Sequence, residues 1–140
     1  MRLVLDTNVL VAAMRSPTGA SAALLKAVRS GKLEMACNPA LFLEYEQTLK
    51  RPEHLVASRL TEADVDDLLL GLSALLVPAA RSRSLRPRLA DPDDEMVLEA
   101  AVFATADAIA TFEKPTFLEA CKPLMIKVLT PGEILASMRA

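Results

Sequence analysis

The sequence predicts an α/β fold with a central parallel sheet of about four to five strands, covered by helices on both faces. Short apolar runs recur at 3–5, 33–37, 75–77, 108–111 and 126–129. Between them lie segments whose apolar residues fall at helical spacing. No internal repeat and no linker breaks the 140 residues, so a single domain spanning 1–140 is expected, large enough to bury a core.

The elements follow in order. Leu3–Leu5 reads as a short buried strand, and Asn8–Met14 as the helix after it. Ser16-Pro17-Thr18-Gly19 is a loop, with Ser21 as the cap of a second helix carrying Ala22, Leu25, Val28 and Arg29; Gly31 ends that helix. Leu33–Cys37 is the second strand. Asn38-Pro39 caps a helix with Leu41, Phe42, Tyr45 and Leu49 on one side, and Pro52 marks its end. Thr61-Glu62-Ala63-Asp64 resembles a capping sequence with Asp at its fourth position; the helix after it runs to about Leu75 and buries Val65, Leu68, Leu69 and Leu72. Leu75–Val77 continues as the third strand, and residues 81–92 form a loop containing Pro and Arg. Asp93–Thr105 is helical with Val97, Leu98, Ala101 and Val102 inward. Ala108–Thr111 and Ile126–Leu129 are the fourth and fifth strands, and Thr130-Pro131 starts a final helix.

Composition narrows the function classes. The apolar fraction is 52% and the charged fraction 24%, which excludes a disordered chain. The surplus of Ala, Leu and Val implies an apolar patch for a partner or a second copy, so a homodimer or higher homo-oligomer is expected. A net charge of −2 gives no overall basic field, and nucleic acid would have to be held by a local basic strip. Cys37 and Cys121 lack metal or redox spacing and are expected as buried free thiols in a reducing cytosol. The N-terminus opens as a strand with no signal pattern. Leu68–Ala80 is apolar, but Gly71, Ser73 and Pro78 interrupt it and it falls short of the roughly 20 residues that span a bilayer. A cytoplasmic protein outside the membrane is the expectation.

Four distant acids carry the chemistry: Asp6, Glu44, Asp94 and Glu113. Asp6 directly follows Leu3-Val4-Leu5, where a carboxylate is costly unless paired, although it also suits the cap of the following helix. Glu44 lies on the helix after the second strand, where ordinary surface glutamates also occur. Asp91, Asp93, Asp94 and Glu95 crowd one helix start, more acids than the macrodipole alone calls for. Glu113 follows Thr111-Phe112 at the end of the fourth strand. In open α/β sheets, ligands gather at the carboxyl ends of strands. Carboxylates meeting there need a cation, and oxygen-only donors suit Mg²⁺ or Mn²⁺.

Leu3-Val4-Leu5-Asp6-Thr7-Asn8-Val9-Leu10 resembles the opening of the PIN-domain family, largely Mg²⁺/Mn²⁺-dependent ribonucleases. Further matches follow in order: Pro39-Ala40-Leu41 leading to Glu44, Leu49-Lys50-Arg51-Pro52, Asp91-Pro92-Asp93-Asp94 with Val97-Leu98, Ala106 through Glu113, and Thr130-Pro131-Gly132-Glu133. The chain is similar in particular to the branch of VapC-like toxins of toxin–antitoxin pairs. The resemblance implies a three-layer α/β/α PIN-like fold, an RNA substrate and a small antitoxin protein as partner. It places the family's metal-binding acids on Asp6, Glu44 and Asp94, with Asp93 close to the last. The fourth position, usually Asp, or Asn in this branch, is Glu113, one methylene longer. Phe117 matches an aromatic that often follows, while Pro115 and Thr116 stand where a second polar or acidic residue is common.

The reading is therefore metal-assisted hydrolysis of RNA. Asp6 and Asp94 would hold the ion, Glu44 orient or deprotonate the attacking water, and Glu113 support a second, weaker ion or a water. Thr7, Asn8 and Thr111 would support ligands or touch phosphate, with Asp93 beside them. Lys50 and Arg51, and the loop arginines Arg81, Arg83, Arg86 and Arg88, are the candidates for RNA-backbone contact. With one Tyr, four Phe and no Trp, base stacking is a poor source of sequence specificity. His54, the single histidine, reads as a surface turn residue. Two rivals remain open. One is a non-catalytic PIN-like RNA- or protein-binding module, favoured by Glu113. The other is an aspartyl-phosphate enzyme using Asp6, which would want an Asp where Asn8 stands.

Overall fold

The computed structural model describes residues 1–79 and 89–139; Arg81, Arg83, Arg86 and Arg88 lie outside the described residues. The chain runs β1 (Arg2–Leu5), α1 (Thr7–Arg15), α2 (Ala20–Arg29), β2 (Glu34–Cys37), α3 (Pro39–Leu49), α4 (Pro52–Ser58), α5 (Glu62–Ser73) and β3 (Val77–Pro78). It continues with α6 (Pro92–Phe103), β4 (Ala108–Ala110), α7 (Lys114–Cys121), a 3-10 turn (Lys122–Leu124), β5 (Lys127–Leu129) and α8 (Pro131–Met138). All strands are parallel, in the order β3-β2-β1-β4-β5. Leu3 pairs with both Met35 and Ala108, which makes β1 the central strand.

This is the expected three-layer α/β/α architecture. The chain leaves β1 in one direction to build β2 and β3, then crosses back to lay β4 on the other side. Right-handed crossovers therefore put the helices before β3 over one face and α6 and α7 over the other. The contacts agree: α1, α2 and α8 pack together, and α6 packs on β1, β2, β4 and α7. Leu3, Val4, Leu5, Met35, Ile109 and Leu98 are fully or almost fully buried between the layers.

Local chemistry explains most boundaries. Asn38 caps α3 by accepting from the Leu41 N–H (2.8 Å), with Pro39 at the first helical position. Thr61 and Asp64 form a reciprocal capping box on α5, as their spacing predicts. Gly31 turns the chain into β2 at φ +79°, a conformation glycine adopts without strain.

Other expectations need correction. Ser21 does not cap α2: the helix already starts at Ala20 after Gly19, and Ser21 is buried with its hydroxyl unpartnered among the described residues. Pro52 does not merely end α3. It opens α4 as the first helical residue, where its missing N–H is not needed. His54 thus sits on a helix, half-buried, with Nδ1 2.8 Å from Arg15 Nη2. The third strand is Val77–Pro78 rather than 75–77, at the sheet edge where proline is tolerated. Helix α7, between the fourth and fifth strands, is absent from the sequence reading; it opens on Lys114-Pro115 and buries only Phe117 and Cys121. Both cysteines are buried and free, and burial pushes the Cys37 thiol up to about 12. Among the described residues no helix is long and apolar enough to cross a membrane.

Candidate active site

The crossover between β1 and β4 is a topological switch point, where the connections leave towards opposite faces and open a crevice at the strands' carboxyl ends. Asp6 stands at the floor of that crevice. Its backbone N–H donates to Ala110 O (2.9 Å), so the sheet register fixes its position. One carboxylate oxygen, Oδ1, accepts from the Thr7 N–H (2.9 Å) as the cap of α1. The other, Oδ2, accepts from the Thr111 hydroxyl (2.7 Å), across the β1–β4 seam. Capping and site roles thus coincide in one residue. Each oxygen retains acceptor capacity after these bonds.

Burial raises the Asp6 pKa; the two hydrogen bonds oppose that rise, and the charge of Glu113 adds to it. Asp94, half-buried in the first turn of α6, is pushed up to about 6 by burial and then by the charges of Asp91, Asp6, Glu113 and Asp93. Asp6, Asp94 and Glu113 therefore share one negative field, although 88 residues separate the first two. Glu113 reaches it from the residue preceding α7, its N–H donating to the same Thr111 hydroxyl (2.9 Å) that holds Asp6.

The acidic run at α6 divides by task. Asp91 caps the helix by accepting from the Asp93 N–H (2.9 Å). Glu95 is buried and accepts from the Leu89 N–H (2.9 Å). Asp93 is exposed. Asp94 is a group on which the charges of Asp6 and Glu113 both act.

Glu44 stands differently. It lies on α3, half-buried, and its Oε1 accepts from Thr48 Oγ1 (3.0 Å). Among the described residues, no three His, Cys, Asp or Glu side chains are close enough to form a metal-holding group as placed.

These features meet in one place: an acid after the first strand, a Thr–acid pair after the fourth, and an acid at the helix start between them. Residues 2–114 match the PIN domain. The chain belongs to the PIN domain family. PIN domains are generally nucleases, and PIN nucleases typically use divalent metal ions. Among curated proteins, none matches the chain.

The donor chemistry of this PIN domain fits a hard cation. Its described residues offer oxygen donors, and burial first, then the neighbouring carboxylate charges, raises the pKa of both Asp6 and Asp94. Asn8, two residues after Asp6, has a buried Oδ1 with no hydrogen-bond partner among the described residues. Mg²⁺ retains several waters, so two inner carboxylates suffice and the remaining groups can act through water.

The basic candidates fare unequally. Lys50 Nζ is bound to Asp66 (2.6 Å) and lies 3.5 Å from Glu46, so its charge is largely satisfied within the protein. Arg51 is exposed immediately before α4.

Two positioning residues escaped sequence reasoning. Tyr45 is fully buried, and its hydroxyl donates to Leu5 O, which fastens α3 to the end of β1 beside Asp6. Asn38 Nδ2 donates to Met96 O (3.2 Å), tying the start of α3 to the helix that carries Asp94. Tyr45 was visible as a core residue at helical spacing, but no sequence signal points to its hydroxyl partner.

Proposed function

We propose that this PIN domain is a Mg²⁺- or Mn²⁺-dependent endoribonuclease and the toxin of a toxin–antitoxin pair. The observation that carries the catalytic part is the convergence of Asp6, Asp94 and Glu113 on one crevice, with Asp94 pushed up to about 6. Asp6 and Asp94 would hold the ion. When bound, it supplies Lewis acidity at a phosphoryl oxygen and an acidified water. Thr111 fixes the Asp6 carboxylate and, through the Glu113 N–H, the loop carrying the third acid. Glu44, on α3, would orient or deprotonate the attacking water, and Glu113 would support a second ion or a water. Thr7 and Asn8, on the first turn of α1, would support the ligands or touch phosphate, with the exposed Asp93 beside Asp94.

A small antitoxin is the proposed partner. A cavity of about 300 Å³ between α1, α2 and the end of α4 supports it, with Met14, Leu25 and Leu60 in its lining and Lys26 and Arg29 beside them. Leu43, Val56 and Leu70 are exposed apolar side chains that support self-association.

The test is Mn²⁺-dependent cleavage of RNA by the purified chain. Asp6→Asn should reduce it at least about 100-fold, since several kcal/mol of transition-state stabilisation goes with the metal. Unchanged cleavage by the variant would remove the proposal. One observation favours the second reading, a non-catalytic RNA- or protein-binding module: among the described residues no three acids form a chelating group. Calorimetry separates the two, because the module predicts the same absence of Mn²⁺ binding for the wild type and Asp6→Asn.

A further inference from the structure

We infer that Phe112 is the platform on which an unpaired base of the substrate stacks beside the cleavage site, a role that rests on the nuclease reading above. Phe112 is the one aromatic side chain in the exposed class among the described residues, at 50% exposure. Tyr45 and Phe117 are fully buried, and Phe42 and Phe103 are partly covered. Its place in the chain sets it apart from an ordinary surface apolar residue. It lies between Thr111, whose hydroxyl holds Asp6, and Glu113, so its Cα is about 3.8 Å from each of theirs.

The backbone on both sides is fixed. The Thr111 N–H donates to Leu129 O (3.0 Å), the Glu113 N–H to Thr111 Oγ1 (2.9 Å), and the Thr116 N–H to Glu113 O (3.1 Å). The ring is presented from an ordered turn, which lowers the entropic cost of stacking. Charge points the same way. RNA is usually gripped at its phosphates by Lys or Arg. Here Lys114, the cation next in sequence to Glu113, is held by both oxygens of Glu133 at 2.8 and 3.2 Å. An acidic site whose adjoining Lys114 is already paired gains affinity from an uncharged ring.

The substrate class follows. A base can reach Phe112 only with its face free, so the favoured substrate is single-stranded RNA or an unpaired loop rather than duplex. Stacking tolerates every base, so Phe112 selects unpaired structure and not sequence.

The experiment measures steady-state cleavage of a short single-stranded oligoribonucleotide by wild type, Phe112→Ala and Phe112→Trp. Matched substrates lack the base at each position flanking the cut, and one carries 2-aminopurine there. Phe112→Ala should raise KM about 5- to 100-fold while leaving kcat nearly unchanged, with Phe112→Trp restoring it. Removing one flanking base should penalise the wild type by the same factor and Phe112→Ala hardly at all. The early 2-aminopurine quench on mixing should vanish in Phe112→Ala. Equal penalties for base removal in both proteins, or an unaltered KM, would overturn the stacking role while leaving the nuclease reading intact. A wild type that cleaves no RNA with either metal would overturn both.

Discussion

The two ends of the central sheet are built from the same residue types and resolved in opposite ways. At the amino-terminal edge, Arg2 gathers partners for its charge and backbone. Arg2 donates from its backbone N–H to Asp107 Oδ2 (2.7 Å), from Nε to Glu34 (2.9 Å) and from Nη1 to Ala104 O (2.6 Å). That clasp joins β1 to the start of β2 and to the turn before β4. At the carboxyl-terminal edge, Asp6 accepts from neutral donors, Thr111 and the Thr7 N–H, and among the described residues the charge of Glu113 acts on it. Among the described residues no Lys or Arg pairs with Asp6 or Asp94. One end spends its charges on holding the strands together. The other leaves a negative field unbalanced, which is costly for the free protein and useful only if a cation arrives.

Breaking the unbalanced end should give the largest effect. Asp94→Asn is expected to lower metal-dependent cleavage at least about 100-fold and to abolish the rise in Tm on adding Mn²⁺. Its pH behaviour has a definite sign. Asp94 is raised from 3.8 to about 6 in the folded protein, so its contribution to stability is present below pH 3.8 and is lost as pH rises through about 6. The metal-free wild type should therefore lose stability over that window, and Asp94→Asn should flatten the loss, measured by thermal melts at a series of pH values. With Mn²⁺ present the wild type should instead gain stability as pH rises past about 6, because the ion binds the ionised carboxylate. A wild-type melt insensitive to both pH and Mn²⁺ would contradict this account of the crevice.

A smaller effect is expected from Thr111→Val. It removes a buried hydrogen bond to a carboxylate, about 1.5–3 kcal/mol by denaturant unfolding. It also removes a group that lowers the Asp6 pKa, so half-maximal Mn²⁺ binding should move to higher pH. Arg2→Ala sharpens the comparison from the paired end. It should cost about 1 kcal/mol of stability, since the ion pair is partly solvated and the carbonyl bond is the better-protected contact. Cleavage per folded molecule should stay unchanged. A fall in kcat there would mean the two ends are coupled through β1.

Helices α1, α3, α5 and α6 were legible because each buries a stripe of large aliphatic residues behind a clear cap, such as Asn38 or Thr61. Helix α7 was not: Lys114–Cys121 buries only Phe117 and Cys121, too few positions to define a period. Helix α4 buries none of its residues fully and starts on a proline that reads equally well as a stop. At the site, Asp6 and Thr111 were visible because polar residues ending buried apolar strands are conspicuous. The family resemblance named Asp94 with Asp93 close beside it; the residues alone could not separate them, because both lie in one helix turn.

From the residues alone came the alternation of strands and helices, the parallel sheet, and the acids at the strand ends and helix starts. These are local properties, set by periodicity, capping and the cost of a carboxylate after a buried strand. The tertiary structure decided which acids share a field, and that Lys50 and Lys114 are already paired while Phe112 is exposed. Such facts depend on the strand order and on distances between groups remote in sequence, and electrostatic interaction follows distance in space, not position along the chain.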